Sequence, residues 1–334
     1  MDEISKKILN RLQGGIPLTT VPFKEMADEI GISEENFIKE TKNLFEQKII
    51  REIGPIFETE EMGHISTLVA CEVDPSRIEK VAEFVGAHPG VTHNYQREDR
   101  FNLWFTLTIP KEVSIERTLS IIELQKGVKR VMNLPKDRVY KIRVVFDLDG
   151  GEVEDRTPKR DDKNRELNIP RGIFIRMVNS LQSSFPLVRE PFSELAKEAK
   201  LPQDQFMANL KEMFASGVIR RFPAMLSHRK AGISHNLLIA WIVKNEDTDN
   251  LGKAFAEFPF VSHCYRRKTY NDWPYNLYTM THARSLEEWE GNFNQMKDCA
   301  TQNEHLVLKS LKEYKKTRVK YFSPELDKWN KKYL

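Results

Sequence analysis

The sequence predicts an α+β protein built as a tandem duplication, in which each copy joins a winged helix-turn-helix to a ferredoxin-like βαββαβ domain. The motif VTHNYQR at residues 91–97 returns as VSHCYRR at residues 261–267. Sliding the sequence on itself also pairs Pro-Phe at 22–23 with Pro-Phe at 191–192, an offset of 191 − 22 = 169. A chain of 334 residues exceeds one comfortable hydrophobic core, so its length also favours several domains.

The first part of each copy is predicted to be helical. Apolar residues recur at helical spacing over 4–12 and 23–30, Gly31 interrupts the pattern, and another apolar-periodic run ends at Ile50. Residues 192–219 repeat this pattern in the second copy. The segments that follow are predicted to form the wing of each winged helix: residues 51–57 and 220–226.

The second part of each copy is predicted to alternate strand, helix, strand, strand, helix and strand, which is the ferredoxin-like order. In the first copy these elements are expected at 67–73, 76–87, 91–97, 101–109, 115–125 and 139–146. In the second copy they are expected at 236–243, 249–257, 261–267, 275–282, 286–299 and 306–321.

The domain boundaries follow from these patterns. The charged, glycine-containing segment 149–168 has few large apolar side chains, so it is expected to be a surface linker. The winged helix-turn-helix domains are expected at 1–62 and 169–232, the ferredoxin-like domains at 63–148 and 233–322, and a C-terminal tail at 323–334.

Composition narrows the class of protein. The chain has 52 basic and 49 acidic side chains and a net charge of +3, which argues against broad electrostatic capture of nucleic acid. Three cysteines without a CxxC pair indicate neither a disulfide framework nor a zinc site and fit a reducing cytoplasm. No signal peptide or membrane-spanning segment is recognised, so we expect a cytoplasmic protein without a membrane partner.

The repeated motif places three chemically useful side chains on alternate residues. A β-strand directs alternate side chains to one face, so each copy should present a histidine, a tyrosine and an arginine side by side. The two rows are His93, Tyr95 and Arg97 in the first copy, and His263, Tyr265 and Arg267 in the second.

The longer strings around these rows resemble a known family. HPGVTHNY at 88–95 with NLWFT at 102–106, and VSHCY at 261–265 with WPYNLY at 273–278, are similar to the two subunits of the siroheme decarboxylase family, within the broader Lrp/AsnC architecture. The resemblance implies that two paired subunits are fused here into one chain.

The resemblance also implies an activity. Members of this family are carboxy-lyases that remove the acetate carboxyl groups at C12 and C18 of siroheme, giving 12,18-didecarboxysiroheme. The product leads to haem by the alternative pathway or to the haem of nitrite reductase, and the sequence leaves this choice open. No bound metal or organic cofactor is expected, because the iron belongs to the substrate.

A substrate with many carboxylates calls for several fixed cations. The candidates for substrate binding are Arg97, Arg267, Arg220, Arg221, His228, Arg229, Lys316 and Arg318, with Trp104 as a wall for the ring. Two of these assignments have a structural alternative: Lys316 and Arg318 as cations of a solvated edge strand, and Trp104 as a core residue.

Decarboxylation requires an electron sink, which the macrocycle supplies, and a proton for the carbon that loses carbon dioxide. His93 and His263 are the candidate proton donors, although either could instead ligate the substrate iron. Tyr95 and Tyr265 are assigned a hydrogen bond to an acetate or contact with the ring, with core packing as the alternative.

The two copies differ around the matching rows. Arg220, Arg221 and His228 of the second copy align with Arg51, Glu52 and Thr59 of the first. If the two repeats pair within the chain, they should form two unequal pockets, of which one carries most of the turnover. The sequence leaves open whether chains associate further into a homodimer.

Two other functions are compatible with parts of this sequence. A DNA-binding regulator of the Lrp/AsnC type is disfavoured because the recognition helices, expected within 34–46 and 204–212, carry several acidic residues, which would repel the phosphate backbone. A non-catalytic tetrapyrrole carrier or sensor would keep the cations and aromatic residues without needing a proton donor, so binding alone does not exclude it.

Overall fold

The structure of the protein is a computed structural model that describes residues 1–142, 167–227 and 235–334. The predicted linker, residues 149–168, lies outside the described residues apart from its last two. No helix in the described ranges is long and apolar enough to cross a membrane.

The first copy follows the predicted order of elements. They are α1 (Glu3–Gly14), α2 (Pro22–Ile30), α3 (Glu34–Glu46), β1 (Ile50–Ile53), β2 (Ile56–Phe57), β3 (His64–Val73), α4 (Ile78–Ala87), β4 (Val91–Arg97), β5 (Leu103–Pro110), α5 (Ile115–Glu123) and β6 (Val128–Ile142).

The second copy repeats this order and adds two elements. They are α6 (Arg171–Leu181), α7 (Pro191–Glu198), α8 (Gln203–Ala215), β7 (Ile219–Arg221), β8 (Ala224–Leu226), β9 (His235–Trp241), α9 (Thr248–Glu257), β10 (Val261–Arg267), β11 (Leu277–Ala283), α10 (Leu286–Cys299), β12 (His305–Leu308), β13 (Ser310–Lys316) and α11 (Pro324–Tyr333).

The helix boundaries have local causes. Asp2 and Ser33 cap α1 and α3 by accepting hydrogen bonds from the backbone N–H of Ser5 and Asn36. Gly31 ends α2 in the left-handed conformation with φ of 76°, which a residue with a Cβ adopts at a cost.

The described residues divide into two compact units, each with parts of both copies. The helical unit comprises 1–62 with the described part of 145–231, and the sheet unit comprises the described residues of 63–144 and 232–334. Like domains of the two copies are thus grouped together, as expected for intramolecular pairing of the repeats.

The predicted wings are strands, but they do not form a hairpin within each copy. In the helical unit β1 pairs with β8 and β2 pairs with β7, so every wing strand is completed by the other copy. Phe222 and Pro223 alone separate β7 from β8, and a two-residue hairpin turn needs a positive φ that neither residue readily adopts.

The sheet unit holds one nine-stranded sheet in the order β12-β9-β11-β10-β6-β3-β5-β4-β13. The long strand β6 pairs with β3 up to Pro135 and with β10 from Lys136 onward. In the same way β12 pairs with β9 and β13 pairs with β4. Only Lys309 separates β12 from β13, so the two edge strands of the sheet are consecutive in the chain.

The sheet separates three hydrophobic clusters. One cluster packs the helices of the first copy on the sheet and a second packs those of the second copy. The third contains residues of both copies on the opposite face: Ala70, Phe101, Trp104, Met132, Leu134, Leu238, Ala240, Trp273, Tyr278 and Leu308. We call this third set the shared core.

Three predicted elements require correction. The strand expected at 306–321 is two strands, β12 and β13, which Lys309 separates and which pair with different copies. The strand expected at 139–146 begins at Val128, and its residues beyond Ile142 lie outside the described ranges. Residues 323–334, expected to be only a tail, contain α11, which Ser323 caps. Trp329 of α11 packs against the His88 ring with centroids 4.2 Å apart.

Candidate active site

The two repeated rows lie on equivalent strands of the sheet unit. Strands β4 and β10 have the predicted bounds. Tyr95 of β4 lies opposite Trp104 of β5, and Tyr265 of β10 lies opposite Tyr278 of β11. Directly opposed residues in an antiparallel pair share a face, so both rows lie on the face of the shared core.

Arg97 anchors the first row to the second copy. Its Nη1 donates hydrogen bonds to the Leu308 carbonyl at 2.6 Å and to Ser310 Oγ at 3.1 Å. The guanidinium lies 5.6 Å from the centre of the Tyr95 ring, and burial lowers the pKa of Arg97 to about 10. Its buried Nε has no hydrogen-bond partner among the described residues.

Arg267 makes the reciprocal contact from the second row. Its Nη1 donates to the Leu134 carbonyl of the first copy at 2.7 Å, and its guanidinium lies 4.9 Å from the centre of the Tyr265 ring. Burial lowers the pKa of Arg267 as well. In the described structure both arginines therefore hold the two repeats together.

Each row histidine contacts the hydroxyl of the residue before it. His93 Nδ1 lies 3.0 Å from Thr92 Oγ1, and His263 Nδ1 lies 2.8 Å from Ser262 Oγ. Both imidazoles are half-buried. The hydroxyl at the preceding position thus fixes the orientation of each ring.

The first row has charged neighbours on the adjoining strand. Lys316 of β13 lies opposite His93, and Glu313 lies opposite Tyr95. Tyr95 donates its phenolic hydrogen to Glu313 Oε2 at 3.1 Å. The first row therefore has a cation beside its histidine and a carboxylate beside its tyrosine.

The second row has aliphatic neighbours in the same places. Ile142 of β6 lies opposite His263, and Val139 lies opposite Tyr265. The two rows thus match in sequence but differ in the charge of the strand beside them. This asymmetry lies in the sheet unit itself, whereas the sequence comparison drew attention to Arg220, Arg221 and His228.

A histidine that the sequence comparison missed lies behind the second row. His282 Nε2 is 2.6 Å from Ser262 Oγ, and His282 Nδ1 contacts Asn236 Oδ1. Burial, with smaller contributions from His263 and Lys316, lowers the pKa of His282 to about 3. Because Tyr278 corresponds to Trp104, His282 corresponds to Thr108, so no repeated motif pointed to it.

Trp104, the proposed wall of the ring site, is part of the shared core. Its side chain is 1% exposed, and its indole N–H donates to the Phe101 carbonyl. These contacts are those of the structural alternative, core packing.

Two other candidates belong to the helical unit, and two are not described. Arg220 pairs with Glu58 at 3.6 Å, and Arg221 donates to the Gln13 carbonyl at 2.9 Å, all within the helical unit. His228 and Arg229 lie outside the described residues.

Two further features bear on the site. Arg318 is half-buried just after β13. Within 1–142, 167–227 and 235–334, no group of three or more His, Cys, Asp or Glu side chains could hold a metal ion.

The fold and the paired rows define a class of protein: a tandem repeat of a helix-turn-helix and an AsnC-like ligand-binding domain. The family described as AsnC-like ligand binding domain matches residues 61–141 and 230–315. The family described as siroheme decarboxylase NirDL-like HTH domain matches residues 5–51 and 175–220.

A relative that aligns over nearly the full length identifies the family. A siroheme decarboxylase of Hydrogenobacter thermophilus is 36% identical over 337 aligned residues, which cover 98% of each chain. The chain belongs to the siroheme decarboxylase family.

Two-subunit relatives and a solved structure agree with this assignment. The beta and alpha subunits of a siroheme decarboxylase of Desulfovibrio desulfuricans are 40% and 36% identical, covering 43% and 45% of this chain and 91% and 86% of their own lengths. The siroheme decarboxylase NirDL in complex with an iron-uroporphyrin III analogue is 34% identical, with a TM-score of 0.75, covering 98% of this chain and 97% of that chain.

Proposed function

We propose that this chain removes the C12 and C18 acetate carboxyl groups of siroheme, forming 12,18-didecarboxysiroheme and two molecules of carbon dioxide. In each step the bond between the methylene carbon and the carboxylate breaks, and its electron pair moves into the conjugated macrocycle. The methylene carbon then takes up one proton and becomes a methyl group. The observation that carries the proposal is the His-x-Tyr-x-Arg row on the same face of both ligand-binding repeats.

The ligand of a solved relative supports an iron tetrapyrrole as the substrate. The solved siroheme decarboxylase described above was crystallised with an iron-uroporphyrin III analogue. That ligand, like siroheme, is a planar ring edged with carboxylates. We infer the same kind of ligand for this chain, with siroheme as the substrate and its iron as part of the substrate.

His93 and His263 are the proposed proton donors. Imidazole changes its charge near neutral pH, and a positioned general acid contributes about 10²- to 10⁴-fold to the rate. Each ring is oriented by the hydroxyl before it, so its position is fixed before the substrate arrives. Tyr95 and Tyr265 lie beside them, with ring centroids 6.3 Å and 5.8 Å from those of the histidines.

The substrate carboxylates require cations near the rows. Lys316 lies opposite His93, and Arg318 follows two residues later, so we propose that these two bind carboxylates at the first row. Arg97 and Arg267 each keep a buried Nε–H without a partner among the described residues. We propose that these arginines mainly anchor the rows and add positive potential to the site.

Anaerobic incubation of the purified protein with siroheme, followed by mass analysis of the tetrapyrrole, tests the proposal. Two successive losses of carbon dioxide support the decarboxylase. A bound tetrapyrrole of unchanged mass would instead support the carrier or sensor, and absence of binding would reject both.

A further inference from the structure

We propose that the two row histidines are held in opposite neutral tautomers. His282, acting through Ser262, holds the proton of His263 on Nδ1, whereas Thr92 holds the proton of His93 on Nε2. His282 is thus a positioning residue, because it acts on the row through another side chain.

The hydrogen bonds of the second copy form one directed chain. Asn236 Oδ1 can only accept, so His282 Nδ1 carries the hydrogen of that contact. In a neutral imidazole the other nitrogen then has a lone pair, so His282 Nε2 accepts the Ser262 hydroxyl hydrogen at 2.6 Å. With its hydrogen committed, Ser262 Oγ accepts from His263 Nδ1 at 2.8 Å.

The Ser262 hydroxyl has one competing acceptor. The Met280 carbonyl lies 3.4 Å from Ser262 Oγ, against 2.6 Å for His282 Nε2. Hydroxyl hydrogen bonds are usually 2.5–3.0 Å long, so the hydrogen points to His282. The contact with Met280 therefore does not change the direction of these hydrogen bonds.

His282 is suited to this role only while it is neutral, since an imidazolium would donate from both nitrogens. Burial lowers its pKa to about 3, and the nearby His263 and Lys316 act in the same direction. At neutral pH it therefore carries one proton, and Asn236 fixes that proton on Nδ1.

In the first copy the hydrogen bond between the hydroxyl and the row histidine has the opposite direction. The Thr92 side chain is buried, and within the described ranges its hydroxyl has a single hydrogen-bond partner, His93 Nδ1 at 3.0 Å. If His93 donated this bond, the Thr92 hydrogen would be buried without an acceptor, which costs about 1–3 kcal/mol. Thr92 therefore donates, and the proton of neutral His93 lies on Nε2.

Among the described residues, no equivalent of His282 acts on Thr92. Thr108 occupies the corresponding position and donates its hydrogen to Ser66 Oγ at 2.9 Å. The difference between the rows thus comes from two paired replacements, Thr108 for His282 and Ser66 for Asn236, in strands β5 and β3 against β11 and β9.

This inference rests on the proposed function for its chemical meaning. His93 would present an Nε2–H that can donate to a substrate carboxylate or reacting carbon, whereas His263 would present an Nε2 lone pair that must first take up a proton. Two rows with the same sequence would then enter the two decarboxylations in different protonation states.

Long-range ¹H–¹⁵N NMR of the full chain with ¹⁵N-labelled histidine tests the inference without substrate, at about pH 8, where an ordinary imidazole is neutral. His93→Gln and His263→Gln assign the two resonance sets. We expect an Nδ1–H pattern for His263 and an Nε2–H pattern for His93. The same pattern at both histidines, or the reverse pattern, would overturn the proposal, whether or not siroheme is decarboxylated.

Two variants test the role of His282. His282→Thr installs the residue of the first copy, and we expect the His263 pattern to shift toward Nε2–H while His93 keeps its pattern. Thr108→Val is the matched control and should change neither. If His282→Thr fails to fold, Asn236→Leu is the second variant. It removes the acceptor that fixes the proton on His282 Nδ1, so the His263 proton should also shift toward Nε2. An unchanged His263 pattern in a folded variant of either kind would refute the role.

Discussion

Arg97 of the first repeat donates a 2.6 Å hydrogen bond to the carbonyl of Leu308, which ends strand β12 of the second repeat. Arg267 returns the contact through Leu134, at 2.7 Å. The arginine of each row therefore fixes that row to the other copy. The arginine of the repeated motif therefore also has a structural role, which is to join the two repeats.

Replacing Arg97 by methionine should destabilise the sheet unit. The substitution keeps much of the side-chain length but leaves the buried Leu308 carbonyl without its donor, which costs about 1–3 kcal/mol of unfolding free energy. Chemical denaturation measures the loss. The matched control is Arg100→Met, because Arg100 is 55% exposed and its ion pair with Glu72 should contribute less than about 1 kcal/mol. Equal losses in the two variants would contradict the anchoring role.

Separate substitution of the row histidines should affect carbon dioxide release unequally. His93→Ala and His263→Ala each remove a proposed proton donor, and the loss should reach about 10²- to 10⁴-fold at the row that carries most of the turnover. Lys316 beside the first row and Ile142 beside the second make the two sites different, so the losses should differ. Equal losses for the two variants, measured under identical anaerobic conditions, would count against the asymmetry.

The cation beside the first row should contribute to substrate affinity. Lys316→Ala should raise KM for siroheme about 10- to 100-fold, because a hydrogen bond to a charged group is worth about 1.5–3 kcal/mol. Ile142→Ala is the matched control, since Ile142 occupies the same position beside the second row and carries no charge. Steady-state kinetics at two salt concentrations measures both. A KM for Lys316→Ala that stays at the value of the unmodified protein would remove Lys316 from the site.

His88 should make the fold sensitive to acid. It is 1% exposed, and burial foremost, then the Lys315 cation, lowers its pKa to about 4. Between that value and the ordinary value of about 6.5 the unfolded chain binds the proton more readily, so stability is kept above pH 6.5 and lost as the pH falls toward 4.

A substitution tests this acid sensitivity. His88→Phe installs the residue that ends the equivalent helix of the second copy, Phe258. Between pH 7 and pH 5 the variant should lose about 2 kcal/mol less unfolding free energy than the unmodified protein. Denaturant titrations at the two pH values measure the difference, with the exposed His305→Gln as a control. The same loss in His88→Phe and the unmodified protein would exclude His88 as the cause.

The sequence predicted much of this fold because local patterns and the repeat agreed. Strands 91–97 and 261–267 and helix 286–299 have the expected bounds. The early start of β6 was missed because residues 128–138 include five charged side chains and Pro135, which mask the alternation of a strand. Charges are tolerated there because these side chains are exposed or half-buried, and Arg130 and Arg138 form ion pairs with Asp272 and Asp249.

The site was only partly predictable for a related reason. The rows were found because they repeat, whereas His282 and Asn236 were missed because their counterparts are Thr108 and Ser66. Strand pairing between the copies was also not predictable, because the paired residues are far apart in the sequence. The wing strands are completed across the repeat, and Lys316 meets His93 through a strand more than 200 residues away in sequence.

The most direct test of the proposed reaction is the mass of the tetrapyrrole after anaerobic turnover of siroheme in D₂O. We expect a product that has lost two molecules of carbon dioxide and carries one deuteron in each of two new methyl groups, and we expect this product to be lost in a His93→Ala, His263→Ala double variant. Siroheme recovered from the intact protein with its mass unchanged would contradict the account.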